Sequence, residues 1–281
     1  GDGTPSSGNI LIDSTAGTPS LQVGTGGTIG LYSGSVAGSS GLTDLVGSGS
    51  GNFRYNTSVN SSGVPVIGYT EALATGVINA LYRQQPTVSG TISRETMTYG
   101  DATPTFSLSG GDGPVNGDTV TFAVQSPIES TSGNLAADEY VVKQTNLAGL
   151  GYATDITNGQ LAVDAKTLNI AAVVKTRDYD GTRDATLTGT PTLTGGGSDK
   201  DDGNYLTGDT VDLSGTASGQ FDTANAGTGK TVTISGLSLT GGDSSNYTLN
   251  TDLVGDINRK TVSLSASKEY DGTDALTGYV T

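Results

Sequence analysis

The sequence predicts an all-β chain of several modules, a narrow parallel coil giving way to small sandwiches. Three observations predict it. Glycine supplies 44 of the 281 residues and only 33% are apolar, too few for the broad apolar faces of packed helices. The apolar residues fall in short runs of Val, Ile, Leu and Tyr between Gly, Asn, Asp and Ser clusters, the pattern of short strands joined by turns. Short motifs also return in a fixed order, as tandem modules require.

Residues 1–85 carry apolar pairs two positions apart in a Gly/Ser background: Ile10 and Ile12, Leu21 and Val23, Ile29 and Leu31. Members of such a pair point to one face of a strand. A narrow interior lined this way, with Gly-rich turns, is what the rungs of a parallel β-helix require. The competing reading of this stretch is a flexible Gly/Ser linker.

From Pro86 the character changes. Alternating runs appear, at Thr119-Val120-Thr121-Phe122-Ala123-Val124 and Tyr140-Val141-Val142. Turn signals separate them, at Gly110-Gly111-Asp112-Gly113-Pro114 and Asn158-Gly159. This much chain suits one immunoglobulin-like β-sandwich over 86–166. Tyr179-Asp180-Gly181-Thr182 then returns as Tyr270-Asp271-Gly272-Thr273, each copy following a Lys-Thr, at Lys166-Thr167 and Lys260-Thr261. Gly117-Asp118-Thr119-Val120 returns as Gly208-Asp209-Thr210-Val211, and Tyr99-Gly100-Asp101 is a reordered Tyr-Asp-Gly element. The predicted organisation is 1–85 as the end of a β-helix and connector, 86–166 and 167–259 as sandwiches, and 260–281 as the start of a further module. A chain that begins at Gly1 and stops within a repeat is expected to be an excerpt of a longer one.

Composition narrows function by exclusion. Without Cys or His, thiol nucleophiles, Ser-His-Asp triads and Cys/His zinc sites are ruled out. The balance of 28 acids against 13 bases disfavours nucleic acid, which needs clustered bases. Residues 1–85 hold only Asp2, Asp13, Asp44 and Glu71 against Arg54 and Arg83, so the charge also shifts near Pro86. No run approaches the roughly 20 apolar residues of a membrane helix, so no membrane insertion is expected.

Several of these motifs resemble known bacterial families. Tyr179-Asp180-Gly181-Thr182, Gly208-Asp209-Thr210-Val211, Gly229-Lys230-Thr231-Val232-Thr233-Ile234 and Asn246-Tyr247-Thr248-Leu249 resemble, in order, the YDG repeat of very large bacterial adhesins. Residues 94–166, with Thr98-Tyr99-Gly100-Asp101 and Pro104, are similar to the MBG module that accompanies it. Leu31 to Val36, Gly41 to Val46 and Phe53-Arg54-Tyr55-Asn56 resemble the C-terminal end of the β-helix in filamentous-haemagglutinin-like proteins. The resemblance implies export through an outer-membrane two-partner secretion pore, display at the cell surface or release as an extracellular fibre, and work in adhesion or biofilm cohesion.

Candidate sites are few. The Tyr-Asp-Gly-Thr turn is expected to be structural, with Asp bonding nearby backbone donors and Gly supplying positive φ. Asp199, Asp201 and Asp202, in the run Ser198 to Asn204, offer oxygen ligands to calcium. They miss the calcium-loop spacing, because Gly203 stands where a third acid belongs, so a solvated loop and no cofactor are expected. Tyr32, Tyr55, Tyr69 and Tyr82 are candidates for stacking on sugar rings, against ordinary packing roles. Lys166 and Lys260 occupy positions suited to a covalent Lys crosslink, although no partner is assignable and a strand-edge Lys is usually solvated. The expected function is therefore a non-catalytic stalk segment of a surface adhesin or fibre. A glycan-binding module of an extracellular matrix, recognising a surface or matrix polysaccharide, is the alternative. A carboxylate-dependent glycoside hydrolase is less favoured because no acid pair is nominated.

Overall fold

The computed structural model of the chain describes residues 8–13, 15, 17, 19–60, 62, 64–197, 202–265 and 272. Among them strands dominate, and helix is confined to short turns. In the N-terminal stretch β1 (Ile29–Ser33), β2 (Phe53–Arg54) and β5 (Ile78–Tyr82) form a three-stranded sheet in the order β1-β5-β2. Both pairings are parallel, Ile29 opposite Ile78 and Phe53 opposite Ala80. Parallel neighbours need crossovers, supplied here by the Gly/Ser-rich turns and the short helix α1 (Leu42–Val46). A hairpin of β3 (Thr57–Val59) and β4 (Pro65–Ile67) projects between them in sequence.

The next seven strands are β6 (Thr87–Ile92), β7 (Arg94–Thr98), β8 (Leu108–Ser109), β9 (Phe122–Val124), β10 (Glu139–Gln144), β11 (Ala153–Thr157) and β12 (Gly159–Asp164). They make two sheets, in the orders β11-β6-β8 and β7-β12-β10-β9. The first sheet is mixed: β6 runs parallel to β11 and antiparallel to β8. The one-turn helix α2 (Leu147–Leu150) precedes β11 and buries Leu147 and Leu150 three positions apart on one face.

The remaining strands are β13 (Lys166–Val174), β14 (Arg177–Asp178), β15 (Asp184–Ala185), β16 (Leu187–Leu193), β17 (Gly195–Gly197), β18 (Tyr205–Leu206), β19 (Asp212–Phe221), β20 (Gly227–Thr240), β21 (Tyr247–Asn250) and β22 (Asp252–Asn258). Their sheets run β16-β13-β21 and β14-β22-β20-β19-β15, with a small β17-β18 pair. Again the first strand of the module is parallel to a late one and antiparallel to an early one, β13 with β21 and with β16. A 3-10 turn at Ser244–Asn246 occupies the place before β21 that α2 holds before β11. Substituting β13, β14, β16, β19, β20, β21 and β22 for β6 to β12 reproduces the earlier strand orders, with β15 added at an edge. The repeated motifs therefore mark a repeated topology.

The described residues cluster into two compact units. Unit 1 draws on Gly1–Met97, Asp101–Ile128 and Leu135–Asp164, and unit 2 on Thr98–Gly100, Glu129–Asn134 and Ala165–Thr281. Unit 1 has one core in which Leu42, Phe53, Tyr55, Ala80 and Tyr82 pack with Val88, Leu147, Leu150 and Tyr152. The stretches that composition separates at Pro86 thus share a core. In unit 2 the alternation along β13, where Leu168, Ile170 and Val174 are buried and Thr167 and Asn169 are not, packs Ile170 and Val174 with Phe221, Val232, Ile234 and Ile257. Completely burying a ring such as Phe221 contributes about 1.5–3 kcal/mol.

Candidate functional site

The repeated Gly-Asp-Thr-Val segment places a buried carboxylate in each unit. In unit 1 Asn116 and Gly117 take φ of 55° and 76°, and the Asp118 amide donates to Val115 O at 3.0 Å. This tight turn ahead of β9 points Asp118 inward, leaving it 7% exposed. A Cβ on Gly117 would lie 2.2 Å from Ser48 Oγ, so glycine is required for both conformation and space. Asp118 Oδ2 accepts from the hydroxyls of Tyr55 and Tyr152, each at 2.8 Å. The two rings meet at 4.4 Å between centroids, and Tyr55 stacks on Tyr82 at 5.7 Å. Asn116 Nδ2 donates to the Tyr55 hydroxyl at 3.0 Å, and the Val115 amide donates to that of Tyr152 at 3.1 Å. Burial raises the Asp118 carboxyl above its ordinary value, against the lowering effect of both tyrosine hydroxyls and of Arg54. The same burial pushes both tyrosines up.

Unit 2 repeats the arrangement. Gly208 has φ 101°, the Asp209 amide donates to Leu206 O at 3.2 Å, and Asp209 is 8% exposed. Its Oδ2 accepts from Tyr99 and Tyr247, each at 2.5 Å, and the rings pack edge to face at 5.2 Å. Its Oδ1 accepts the Ser132 amide at 3.1 Å. Ser130 Oγ lies 2.5 Å from the Tyr99 hydroxyl, and the Leu206 amide donates to that of Tyr247 at 2.9 Å. Burial, then the Asp209 carboxylate, pushes Tyr99 up to about 12 and raises Tyr247 as well. Beside it Asp243 accepts the amides of Thr210 at 2.8 Å and Thr131 at 3.0 Å. Burial alone would raise the Asp243 carboxyl, but these amide bonds outweigh it and hold it below its ordinary value.

Chemically each cluster is a hydrogen-bond network around one carboxylate. It anchors an aromatic pair inside a small core.

The Tyr179-Asp180-Gly181-Thr182 turn lies elsewhere in unit 2. Asp180 Oδ1 accepts the Thr182 amide and hydroxyl, both at 2.9 Å, and pairs with Arg177. Gly181 takes φ 83°, and Arg177 also donates to Thr182 O at 2.6 Å while lying 5.4 Å over the Phe221 ring. The Thr182 amide, then its hydroxyl and Arg177, hold the Asp180 carboxyl below its ordinary value. Tyr179 is 41% exposed. In the second copy Gly272 has φ 79°, while Tyr270, Asp271 and Thr273 lie outside the described residues.

Of the three calcium candidates, Asp199 and Asp201 lie outside the described residues. Asp202 Oδ1 receives Lys166 Nζ at 2.8 Å, and Lys166 is fully buried rather than solvated. Among the described residues no three Asp or Glu gather as a metal cluster. Of the tyrosines considered for sugar stacking, Tyr55, Tyr69 and Tyr82 are buried and Tyr32 is exposed. An open cleft of 530 Å³ in unit 2 is bordered by Leu187, Pro191, Leu213 and Leu237, with Asp184 as its one lining carboxylate.

The sequence marked Asp118 and Asp209 as a repeat but not their partners, which lie 63 and 34 residues from Asp118 and 110 and 38 from Asp209. A Tyr just after a one-turn helix, as at Tyr152 and Tyr247, is the local signal that could have found half of each pair. No curated protein matches the chain. Within it, residues 164–253 match the model of the YDG domain.

Proposed function

We propose that this chain is a non-catalytic stalk segment of a large bacterial surface adhesin or fibre, supporting cell adhesion or biofilm cohesion. The observation that carries the reading is the repeated topology, each copy carrying a buried Asp that takes one tyrosine hydroxyl from its own module and one from the stretch before it. Repetition of such a module lengthens a chain without redesigning its core. The YDG match is consistent with a surface or binding module. Within this reading 1–85 is the end of a parallel β-helix, supported by the all-parallel β1-β5-β2 sheet. The stretches 86–166 and 167–259 are tandem sandwiches of an immunoglobulin-like kind, MBG-like and YDG-like, supported by two sheets per module. Residues from Lys260 open another. The protein is filamentous-haemagglutinin-like, exported by a two-partner route and held outside the cell at the outer membrane. It uses no cofactor.

The test is replacement on a displaying cell. Exchanging 86–259 for an unrelated β-module array of equal length should leave adhesion intact, and loss of adhesion would overturn the stalk reading. A glycan-binding module predicts instead saturable binding of the isolated chain to a polysaccharide array, abolished by Tyr32→Ala. The exposed ring of Tyr32 is what keeps that second reading open.

A further inference from the structure

The first residue of β13, Lys166, is the least expected side chain in unit 2. It shares the inward face with Leu168 and Ile170 and is 0% exposed. Its Nζ lies 2.8 Å from Asp202 Oδ1. The segment holding Asp202 is pinned from three sides. The Asn204 amide donates to the same Oδ1 at 2.9 Å, the Asn169 amide donates to Gly203 O at 2.9 Å, and Tyr205 and Leu206 pair with Gly195 and Gly197. Gly197 leaves room for the carboxylate, because a Cβ there would stand 2.9 Å from Asp202 Oδ2. An amine and a carboxyl are thus fixed in contact by main-chain bonds, in a chain with no Cys and hence no disulfide.

We propose that Lys166 and Asp202 condense to an intramolecular amide, a covalent staple between β13 and the segment that precedes β18. Proton transfer across the 2.8 Å contact gives a neutral amine and acid. The Nζ lone pair attacks Cγ, and the negative charge develops on Oδ2. The Nζ–Cγ bond forms, the Cγ–Oδ1 bond breaks, and Oδ1 leaves as water carrying the proton it received and a second one from the nitrogen. Oδ2 becomes the amide carbonyl, and the Asn204 N–H keeps the carboxyl in register during the attack. No oxidant, reductant or activating group is consumed. The driving force is local: the ion pair keeps the fully buried Lys166 ammonium as a desolvated charge, whereas the amide keeps no charge there. Fixed proximity replaces the entropy that makes such a condensation slow between free side chains. The staple would close the chain from 166 to 202 into a ring, and it stands independently of the stalk reading.

The measurement is the intact mass of the purified, urea-denatured chain, followed by fragmentation of its tryptic peptides. The expected result is a mass one water below that of the sequence, no tryptic cut after Lys166, and a branched peptide joining Lys166 to Asp202. Lys166→Arg and Asp202→Ala should each restore the full mass. An unmodified wild-type mass, or a water loss that persists in both variants, would overturn the proposal. The branched peptide is read on wild-type protein, so the test remains decisive if either variant fails to fold.

Discussion

Asp118 in unit 1 and Asp209 in unit 2 occupy the same place in the same motif, and each receives two tyrosine hydroxyls on Oδ2. They differ at the other oxygen. Asp209 Oδ1 takes the Ser132 amide, whereas Asp118 Oδ1 is buried with no hydrogen-bond partner. The difference teaches that the Gly-Asp-Thr-Val motif specifies the turn and the aim of the carboxylate, while completing its shell is left to loops outside the motif. A half-satisfied carboxylate is the costlier one to bury.

The comparison can be broken most forcefully at the carboxylates. Asp209→Ala strands three donors and should cost about 3–5 kcal/mol, against about 2–3 kcal/mol for Asp118→Ala, where the lost oxygen that had no partner is no loss. Amide exchange read separately in the two units measures both, and equal costs would erase the distinction. The glycines come next. Gly117→Ala meets both a φ of 76° and Ser48 Oγ, and Gly208→Ala meets φ 101° with its nearest neighbour 3.4 Å away. About 2–3 kcal/mol is expected for the first and about 1 kcal/mol for the second. Tyr55→Phe leaves Asp118 a single donor and should cost about 2 kcal/mol, whereas Tyr99→Phe leaves Asp209 two and should cost about 1 kcal/mol, both measurable by denaturant melts.

Acid should separate the units more gently. The folded carboxyl of Asp118 is raised above 3.8, so its contribution is full below about pH 4 and is lost as pH rises through the raised value. The carboxyl of Asp243 is lowered from 3.8, so its contribution is present above about pH 4 and is lost as pH falls through the lowered value. Exchange protection around Asp243 should therefore fall on acidification while that around Asp118 does not. The smallest effect is expected at the exposed turn, where Asp180→Ala should leave the melting curve nearly unchanged.

Much of the fold was legible. The alternation read at Tyr140-Val141-Val142 is the burial pattern of β10, whereas the run Thr119–Val124 forms strand only at Phe122–Val124, and the repeated motifs mark equivalent places in the two modules. The parallel pairing of each module's first strand was not legible, because partners 66 to 81 positions apart leave no local trace. The most conspicuous repeat, Tyr-Asp-Gly-Thr, proved to be a turn stitched by its own Asp and by Arg177, which no motif had singled out. The acceptors of the buried tyrosines escaped notice for a different reason. A Tyr reads the same at an edge and in a core until the acceptor for its hydroxyl is known, and that acceptor comes from a distant loop. The burial of Lys166 was illegible for the same kind of cause, since its place in the inward-facing series of β13 depends on which face the sheet buries.

The parallel pairing of first and late strands has a mechanical consequence. When a module is stretched, tension enters at the start of β13 and leaves through the strands that follow β21. A parallel pair held at opposite ends is loaded along its length, so the bonds between Lys166–Asn169 and Tyr247–Asn250 must yield together by sliding instead of opening one at a time like a zip. β6 and β11 place the preceding module under the same shear. A chain wired in this way meets a pulling force with rupture strength more than with equilibrium stability, whereas a hairpin such as β3–β4, pulled from its adjacent ends, peels apart bond by bond.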